Sequence, residues 1–367
     1  MSAKQVVASL ALSLVSIVVA LVIGEIVLRI FYKDHIVMTP RYVTDAQYGE
    51  FTIRRLRPNT VFLHTTVDGA WKFTTNAQGF RNEADFSYEK SPDVIRILSL
   101  GDSHTQGSEV RQEKTFSATA ERYLDGEGVR AEVINAGVSG FSTSEALVFL
   151  ENEGVKYQPD VVVLGLYAND FIDNIKVGIF VLNDGELIVK KQKHIPGVSI
   201  LNIINEFSAF RWLSENSYLY SFSFNSIWKY AKKLLRGKAK AKLVTEYAIA
   251  IDEVDEYQSA LMAKLIERMY KFCQENGMHL VILDLPRKSE KKEIWSSVPS
   301  AALHQTLQSN SDLFVYSKDL LHEYRNVAEF HVPHGHHHIS EFTHMVYGLE
   351  IARFVMNSSD PSSVGSK

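Results

Sequence analysis

The chain has 367 residues, of which 46% are hydrophobic and 22% are charged, and its formal net charge is −4. This composition is typical of a globular protein with a sizeable core, and it excludes a disordered chain, a collagen-like chain and a disulfide-rich scaffold. Outside the basic run Lys229–Lys242 the chain is clearly acidic, about −11 after subtraction of that run's seven positive charges from the net −4, which argues against a general nucleic-acid-binding protein. The single cysteine, Cys273, has no second cysteine with which to form an internal disulfide.

The first element in the chain is an uncharged segment, residues 5–24, between Lys4 and Glu25. As a helix it is about 30 Å long, which matches the hydrocarbon thickness of a bilayer. A cleaved signal peptide needs a shorter apolar core and a small-x-small site, and the GEIVLRIF exit lacks that site. We therefore favour an uncleaved transmembrane anchor. Lys4 on one side and Arg29 and Lys33 on the other leave its orientation undecided.

Residues 34–90 alternate β-branched and aromatic residues with polar ones, which predicts a small β-rich lead-in. From there the pattern changes to apolar runs separated by helical stretches, which predicts a parallel sheet covered on both faces. The predicted strands lie at 94–100, 131–137, 160–167, 278–286 and 313–316, and the predicted helices at 113–124, 140–154, 252–276 and 340–356.

An insertion at about 171–250 is longer than the connection that such a sheet needs. It holds an aromatic run and then the basic run Lys229–Lys242, which has seven Lys or Arg and no acid. The ordinary interpretation is a solvated basic helix over an aromatic cluster. The alternative is a surface that rests on anionic lipid beside the anchor.

Polar loops follow three of the predicted strands at the same edge of the sheet. GDSHTQG, residues 101–107, places Ser103 after the first strand, where a helix N-terminus can stabilise an oxyanion. A phosphate-binding loop is excluded because no lysine follows Gly107. The other two loops are Asn135–Gly140 and Ala168-Asn169-Asp170.

These blocks, in this order, resemble the SGNH or GDSL-type hydrolase superfamily, over roughly residues 94–356. The resemblance implies an α/β, three-layer, flavodoxin-like fold with a central parallel sheet of about five strands. TTNAQGFRN and GEIVLRIF are similar to a membrane-anchored branch with an N-terminal transmembrane helix, which implies a single-pass protein with an extracytoplasmic catalytic domain. We expect an anchor at 1–33, a lead-in at 34–90, the hydrolase-like domain at 91–357 and a flexible tail at 358–367.

The resemblance also implies roles for individual residues. Ser103 is the expected nucleophile. The expected oxyanion hole consists of the Ser103 N–H, the Gly140 N–H and the Asn169 side-chain amide. Donors aimed at negative charge are what a tetrahedral intermediate requires.

The last block departs from the family pattern, in which an aspartate precedes the catalytic histidine by three residues. One register makes His338 the base and puts Gly335 at the acid position, whereas the other makes His337 the base and puts His334 there. The third triad member is therefore unknown. A backbone carbonyl, Glu341 or Asp284 are the alternatives.

The same segment is rich in histidine, an imidazole ligand for zinc. Adjacent histidines on a loop point in different directions, and no HExxH spacing accompanies them, so we expect no metal and no cofactor. Tyr167 stands where the family often has glycine, and we expect it to shape the pocket. Cys273, on the apolar stripe of a helix, is expected in the core.

The sequence thus predicts a membrane-anchored serine ester hydrolase that acts through an acyl-serine intermediate. An O-acyltransferase or deacetylase of cell-envelope polysaccharide is the alternative within the same chemistry. A non-catalytic binding module is the alternative from another class, and the missing acid favours it. The expected partners are an acylated small molecule, lipid or polysaccharide, and a membrane that is contacted through the N-terminal helix and Lys229–Lys242.

Overall fold

A computed structural model describes residues 2–32, 36, 42–66, 68–194, 207–227, 254–287, 293–334 and 338–359. The basic run Lys229–Lys242, Gly335, His337 and the tail from 360 lie outside the described residues. The chain divides into two compact units. One comprises Met1–Tyr42, Val61–His64 and Gly197–Leu243, and the other comprises Val43–Thr60, Thr65–Pro196 and Val244–Lys367.

The larger unit is built on a five-stranded parallel sheet. Its strands are β5 (Ile95–Gly101), β6 (Ala131–Asn135), β7 (Val161–Leu166), β10 (His279–Asp284) and β11 (Leu313–Val315). Their spatial order is β11-β10-β7-β5-β6. Leu98 of β5 lies opposite Val162 of the central strand β7, every residue of which is buried. Valine-rich runs without alternation suit a sheet that is covered on both faces, and the predicted parallel sheet is confirmed.

Helices flank this sheet as two groups: α3 (Phe116–Gly126) packs against α11 (Glu341–Ser359), whereas α4 (Thr143–Asn152) and α5 (Asp170–Val177) pack against α8 (Glu256–Glu275). The shorter helices of this unit are α2 (Ser103–Gln106), α9 (Ala301–Ser309) and α10 (Ser317–Leu320). The three-layer α/β architecture is therefore confirmed. Cys273 is buried on the inner face of α8, as expected.

Local sequence signals account for where the helices begin. Ser142 and Glu145 form a capping box at the start of α4, and the Asp255 side chain accepts the Gln258 N–H at the start of α8. Caps of this kind satisfy N–H groups that have no partner within the helix.

Short strands occupy the lead-in and the start of the insertion. They are β1 (Tyr42–Tyr48), β2 (Phe51–Leu56), β3 (Val61–Thr66), β4 (Gly69–Thr74), β8 (Phe180–Asn183) and β9 (Glu186–Val189). β1 pairs with β2, and β8 forms a hairpin with β9.

The smaller unit contains α1 (Ala3–Phe31), α6 (Ser208–Asn216) and α7, residues 218–227. α1 continues beyond the uncharged segment by seven residues. Lys4–Phe31 is long and apolar enough to cross a membrane, and none of its most apolar stretch is buried. This observation defines a candidate transmembrane helix.

Candidate active site

The candidate site lies at the carboxyl edge of the sheet. Ser103 follows β5 as the first residue of α2, Gly140 follows β6, and Asn169 follows β7. Ser103, Gly140 and Asn169 are each partly exposed, so a ligand can reach them from solvent. Carboxyl ends of neighbouring parallel strands are where α/β sheets bind ligands.

His338 lies against Ser103. Its Nε2 is 2.8 Å from Ser103 Oγ, and the histidine is buried. This is the distance at which an imidazole can remove a hydroxyl proton. The structure therefore brings together the serine and the histidine of the first register, whereas His337, the alternative, lies outside the described residues.

Glu109 completes the arrangement on the other side of the imidazole. Its Oε2 is 2.8 Å from His338 Nδ1, and its side chain is 0% exposed. When Nδ1 carries the proton and donates to this carboxylate, Nε2 is free to accept the proton of Ser103. Glu109 thus stands where a triad's acid stands, only six residues after the serine. The sequence analysis missed it, because an acid in the loop after GDSHTQG is also ordinary loop composition.

The two carboxylates that the sequence suggested as acids have other partners. Glu341 accepts from the Arg111 guanidinium, with Oε2 2.5 Å from a terminal nitrogen, and this hydrogen bond lowers the pKa of Glu341. Asp284 accepts from the Ser317 hydroxyl at 2.5 Å and from the Ser297 N–H at 2.8 Å. Neither carboxylate contacts His338 in the described part of the chain. The carboxylate that contacts His338 is that of Glu109, which neither register had placed there.

The two backbone donors expected for the oxyanion hole are the N–H groups of Ser103 and Gly140. Within the described residues, neither the Ser103 N–H nor the Gly140 N–H donates a hydrogen bond. Gly140 has φ +74°, a left-handed conformation that glycine adopts without strain. Gly137, in the same loop, leaves room for α2, because a Cβ there would lie 2.3 Å from the Gln106 nitrogen. The loop after β6 therefore approaches the nucleophile segment closely only because it carries glycines.

The Asn169 amide donates to Asp173, with Nδ2 2.9 Å from Oδ2. Asn169 Oδ1 is buried and accepts no hydrogen bond in the described part of the chain. Asp102 lies beside this group, and burial raises its pKa to about 6, although hydrogen bonds from the His104 N–H and the Asn169 amide favour its charged form.

The rings of His104 and Tyr167 pack against each other, and His104 also packs against His338. The His104 and Tyr167 ring centroids are 3.9 Å apart, and the His104 and His338 centroids are 4.9 Å apart. Burial lowers the pKa of His104 well below its usual value and raises that of Tyr167. Both side chains are therefore uncharged at physiological pH.

A buried arginine of the lead-in holds the loop that carries Glu109. The Arg81 guanidinium donates to three backbone carbonyls of this loop: Gln106 at 2.6 Å, Val110 at 2.9 Å, and Gly107. Burial lowers the pKa of Arg81 to about 9. Glu109 itself has φ +65°, a conformation that costs a non-glycine residue of order 1 kcal/mol and therefore needs such support.

Two more lead-in residues hold the other loops. Arg54, which is buried, donates to the Gly140 carbonyl and lies 3.9 Å from Glu145 Oε1. Asp68 accepts the N–H of His334, four residues before His338, at 3.0 Å. The lead-in therefore contacts three of the four segments that form the candidate site, which its sequence did not predict.

The described histidines of the C-terminal cluster diverge. His331 Nε2 is 2.8 Å from the Pro286 carbonyl, and His334 Nδ1 is 2.9 Å from Asp68 Oδ1. His344 Nδ1 accepts the Phe116 N–H at 3.1 Å, and burial lowers the pKa of His344 to about 3. Each imidazole thus has a separate structural partner.

A family model described as "GDSL-like Lipase/Acylhydrolase" matches residues 97–292, more than half of the chain. The chain belongs to this family. The resemblance seen in the sequence is confirmed, and as a member of the GDSL-like family the protein is an ester hydrolase. The matched range contains Ser103, Glu109, Gly140 and Asn169 but ends before His338.

Several solved structures are similar to this GDSL-like protein. A lipase/acylhydrolase from Enterococcus faecalis is 14% identical, with 73% of this chain and 98% of that chain covered and a TM-score of 0.40. The acetyl xylan esterase AlAXEase is 13% identical, with 71% and 100% covered and a TM-score of 0.39. The psychrotrophic esterase EstA from Pseudoalteromonas sp. is 13% identical, with 72% and 97% covered and a TM-score of 0.35. No curated protein matches the sequence.

Proposed function

We propose that this protein is a membrane-anchored serine ester hydrolase that acts through an acyl-Ser103 intermediate, with His338 as the base and Glu109 as the acid that orients it. The observation that carries this proposal is the chain of two 2.8 Å contacts, from Ser103 Oγ to His338 Nε2 and from His338 Nδ1 to Glu109 Oε2. An activated nucleophile requires a base in contact with it and a third group that orients the base.

In the first half-reaction, Ser103 Oγ bonds to the carbonyl carbon of the ester while its proton passes to His338 Nε2. The carbonyl electron pair moves onto oxygen, and the resulting oxyanion accepts from the Ser103 N–H, the Gly140 N–H and the Asn169 amide. The intermediate then expels the alkoxide, which takes the proton from His338 and leaves acyl-Ser103.

In the second half-reaction, water adds to the acyl carbon and gives its proton to His338. The carboxylic acid leaves, and the proton returns to Ser103 Oγ. Glu109 remains ionised and stabilises the imidazolium in both halves. One oxyanion-hole donor typically contributes about 3 kcal/mol of transition-state stabilisation.

The anchor rests on two features of α1. Its apolar side chains from Val6 to Ile23 are exposed, as in a helix that lies in lipid. Glu25, at the end of the uncharged segment, accepts from the Ser217 hydroxyl at 2.8 Å. A leader that is removed after export makes no lasting contact with the mature chain, so this bond favours an uncleaved helix. We place the catalytic unit on the extracytoplasmic side.

The test of the activity uses the full chain in detergent with a short-chain aryl ester and a serine-directed phosphonate. We expect labelling at Ser103 by peptide mass, and loss of both hydrolysis and labelling in Ser103→Ala. Ser108→Ala, five residues along the same segment, is the matched control and keeps the label. Hydrolysis or labelling that survives Ser103→Ala contradicts the proposal.

The test of the anchor is separate. The full-length mass of the membrane-bound protein should include residues 1–24, and the protein should stay in the membrane fraction after carbonate washing. A reporter fused at the C-terminus gives the side of the membrane. A mature chain that starts after residue 24 contradicts the anchor and leaves the esterase proposal intact.

A further inference from the structure

Two helices of the insertion are hydrogen-bonded to one end of α1. Besides the Ser217 hydroxyl, the Glu25 carboxylate accepts the N–H groups of Leu219 at 2.9 Å and Tyr218 at 3.1 Å. These are N–H groups at the start of α7, which have no partner within the helix. Glu25 therefore caps α7 from another helix, 192 residues away in the chain.

Arg29 lies one turn further along α1 and holds the end of α6, the helix that comes before α7 in the chain. Its guanidinium donates to Glu25 at 2.7 Å and to the Asn216 carbonyl, at the end of α6, at 2.6 Å. It also lies 5.0 Å from the centre of the Tyr218 ring. The end of α6 and the start of α7 are thus held beside the Glu25–Arg29 turn.

The position of this turn relative to a bilayer follows from the length of the apolar segment. Residues 5–24 span about 30 Å as a helix, which is the thickness of the hydrocarbon core. Glu25 and Arg29 come directly after that segment, so a membrane that takes up residues 5–24 holds them at headgroup level. Helices bonded to them lie at the same level.

α6 and α7 expose large apolar side chains there. The exposed side chains are those of Phe207 (60%), directly before α6, and of Phe210 (45%), Trp212 (61%), Phe222 (49%) and Ile227 (69%) within the two helices. In water this cluster is unfavourable by about 25 cal/mol for each Å² of apolar area, whereas aromatic rings are favoured in the headgroup region.

We infer that this set of side chains, the interfacial surface, is embedded in the headgroup and upper acyl region of the same bilayer that α1 spans. The inference rests on the proposed anchor and adds to it a second membrane contact, made by the insertion. We identify the partner that covers this surface as lipid. Both helices are hydrogen-bonded to α1, and α1 exposes a continuous apolar surface. The interfacial surface makes α1 one part of a three-helix membrane module.

The experiment uses the full chain in phosphatidylcholine–phosphatidylglycerol vesicles, with one nitroxide on each of three introduced cysteines, Phe210→Cys, Trp212→Cys and Phe222→Cys. Native Cys273 is buried, and the unmodified chain shows whether it takes up label. Collision with oxygen reports lipid, and collision with a water-soluble nickel chelate reports water. Val15→Cys, in the middle of α1, is the lipid control. Val327→Cys, at a side chain that is 80% exposed in the other unit, is the water control.

We expect the three interfacial labels to lose collision with nickel relative to Val327 and to collide with oxygen, at depths shallower than Val15. Nickel access equal to that at Val327, while Val15 stays in lipid, overturns the interfacial surface and leaves the anchor standing. Nickel access at Val15 overturns the anchor itself. Labels that meet neither reagent show a protein cover, such as a second copy of this chain, and also overturn the inference.

A second variant tests the bonds that place the helices. Glu25→Ala removes the cap of α7, and we expect nickel access at Trp212 and Phe222 to rise while Val15 remains in lipid. Asp93→Ala, which removes an exposed ion pair in the other unit, is the matched control and leaves all labels unchanged. Unchanged labels in Glu25→Ala contradict the positioning of the interfacial surface by α1.

Discussion

Replacing Glu109 by glutamine tests the acid that the sequence did not reveal. The substitution keeps the size of the side chain and removes its charge, 2.8 Å from His338 Nδ1. The imidazolium exists only during the reaction, so the attraction is lost from the transition state and not from substrate binding. Kcat should therefore fall while KM changes little.

The size of the effect follows from the geometry. Two unit charges about 4 Å apart at an effective dielectric constant of about 20 attract by about 4 kcal/mol. Each 1.36 kcal/mol is tenfold in rate, so we expect kcat to fall by about 10³-fold. The glutamine amide can also donate to Nδ1 and select the tautomer that carries its proton on Nε2, which adds to the loss. Glu109→Asp keeps the charge on a shorter side chain and should lose less.

The assay is aryl ester hydrolysis by the full chain, with the rate of acyl-enzyme formation and a thermal melt for each variant. Glu341→Gln is the matched control: it removes a carboxylate close in sequence to His338 that pairs with Arg111 instead. We expect its kcat within about twofold of the parent, because its contact lies outside the proposed triad. A folded Glu109→Gln variant that keeps more than about a tenth of kcat refutes the reasoning, and so does a larger loss in Glu341→Gln.

Three further outcomes follow from the contacts around the site. Arg81→Met removes three hydrogen bonds and leaves the carbonyls of Gln106 and Val110 without this donor, whereas the Gly107 carbonyl keeps the Val110 N–H. It should destabilise the fold by about 3 kcal/mol in thermal melts and lower kcat because the Glu109 loop relaxes. An unchanged melt contradicts this. Arg54→Met should lower kcat by up to about 10²-fold with little change in KM, because the Gly140 loop loses its hydrogen bond from Arg54. Arg54→Lys should restore part of the lost kcat. A change in KM alone argues against a role of Arg54 in positioning the Gly140 loop. His344 has a lowered pKa of about 3, so the unfolded chain binds its proton first and stability falls as pH drops below about 6.5. By about pH 5 this group should cost about 2 kcal/mol, a loss that His344→Gln removes; an equal loss in the variant shows another cause.

The sheet and the order of its loops were predictable because they follow from local patterns. Runs such as Val161–Leu166 are apolar throughout, a pattern that is typical of a strand covered on both faces. Ser103, Gly140 and Asn169 lie in the loops that follow such runs. Parallel strands bring their carboxyl ends to one edge, so these residues had to meet. The meeting of Ser103, Gly140 and Asn169 at one edge of the sheet could therefore be predicted from the sequence.

The positions of Glu109 and of the arginines that hold the site loops could not be predicted from the sequence, because they depend on contacts between residues that are distant in the chain. Glu109 faces His338 only with φ +65° and with its loop bonded to Arg81. The Arg54 contact with Gly140 joins residues that are 86 apart in the chain. A local sequence pattern cannot identify a side chain whose role depends on its contact with a distant loop. The junction of the insertion with Glu25 was beyond prediction for the same reason.

The closeness of Ser103 and Glu109 in the chain has a consequence for how similar enzymes can be recognised from sequence. Two of the three proposed triad members lie within one ten-residue segment, residues 101–110. In the proposed triad the C-terminal loop contributes only the His338 imidazole, so this loop needs no aspartate. A search that demands an acid three residues before that imidazole would pass over such a chain, whereas one that accepts a carboxylate inside the ten-residue segment would retrieve it.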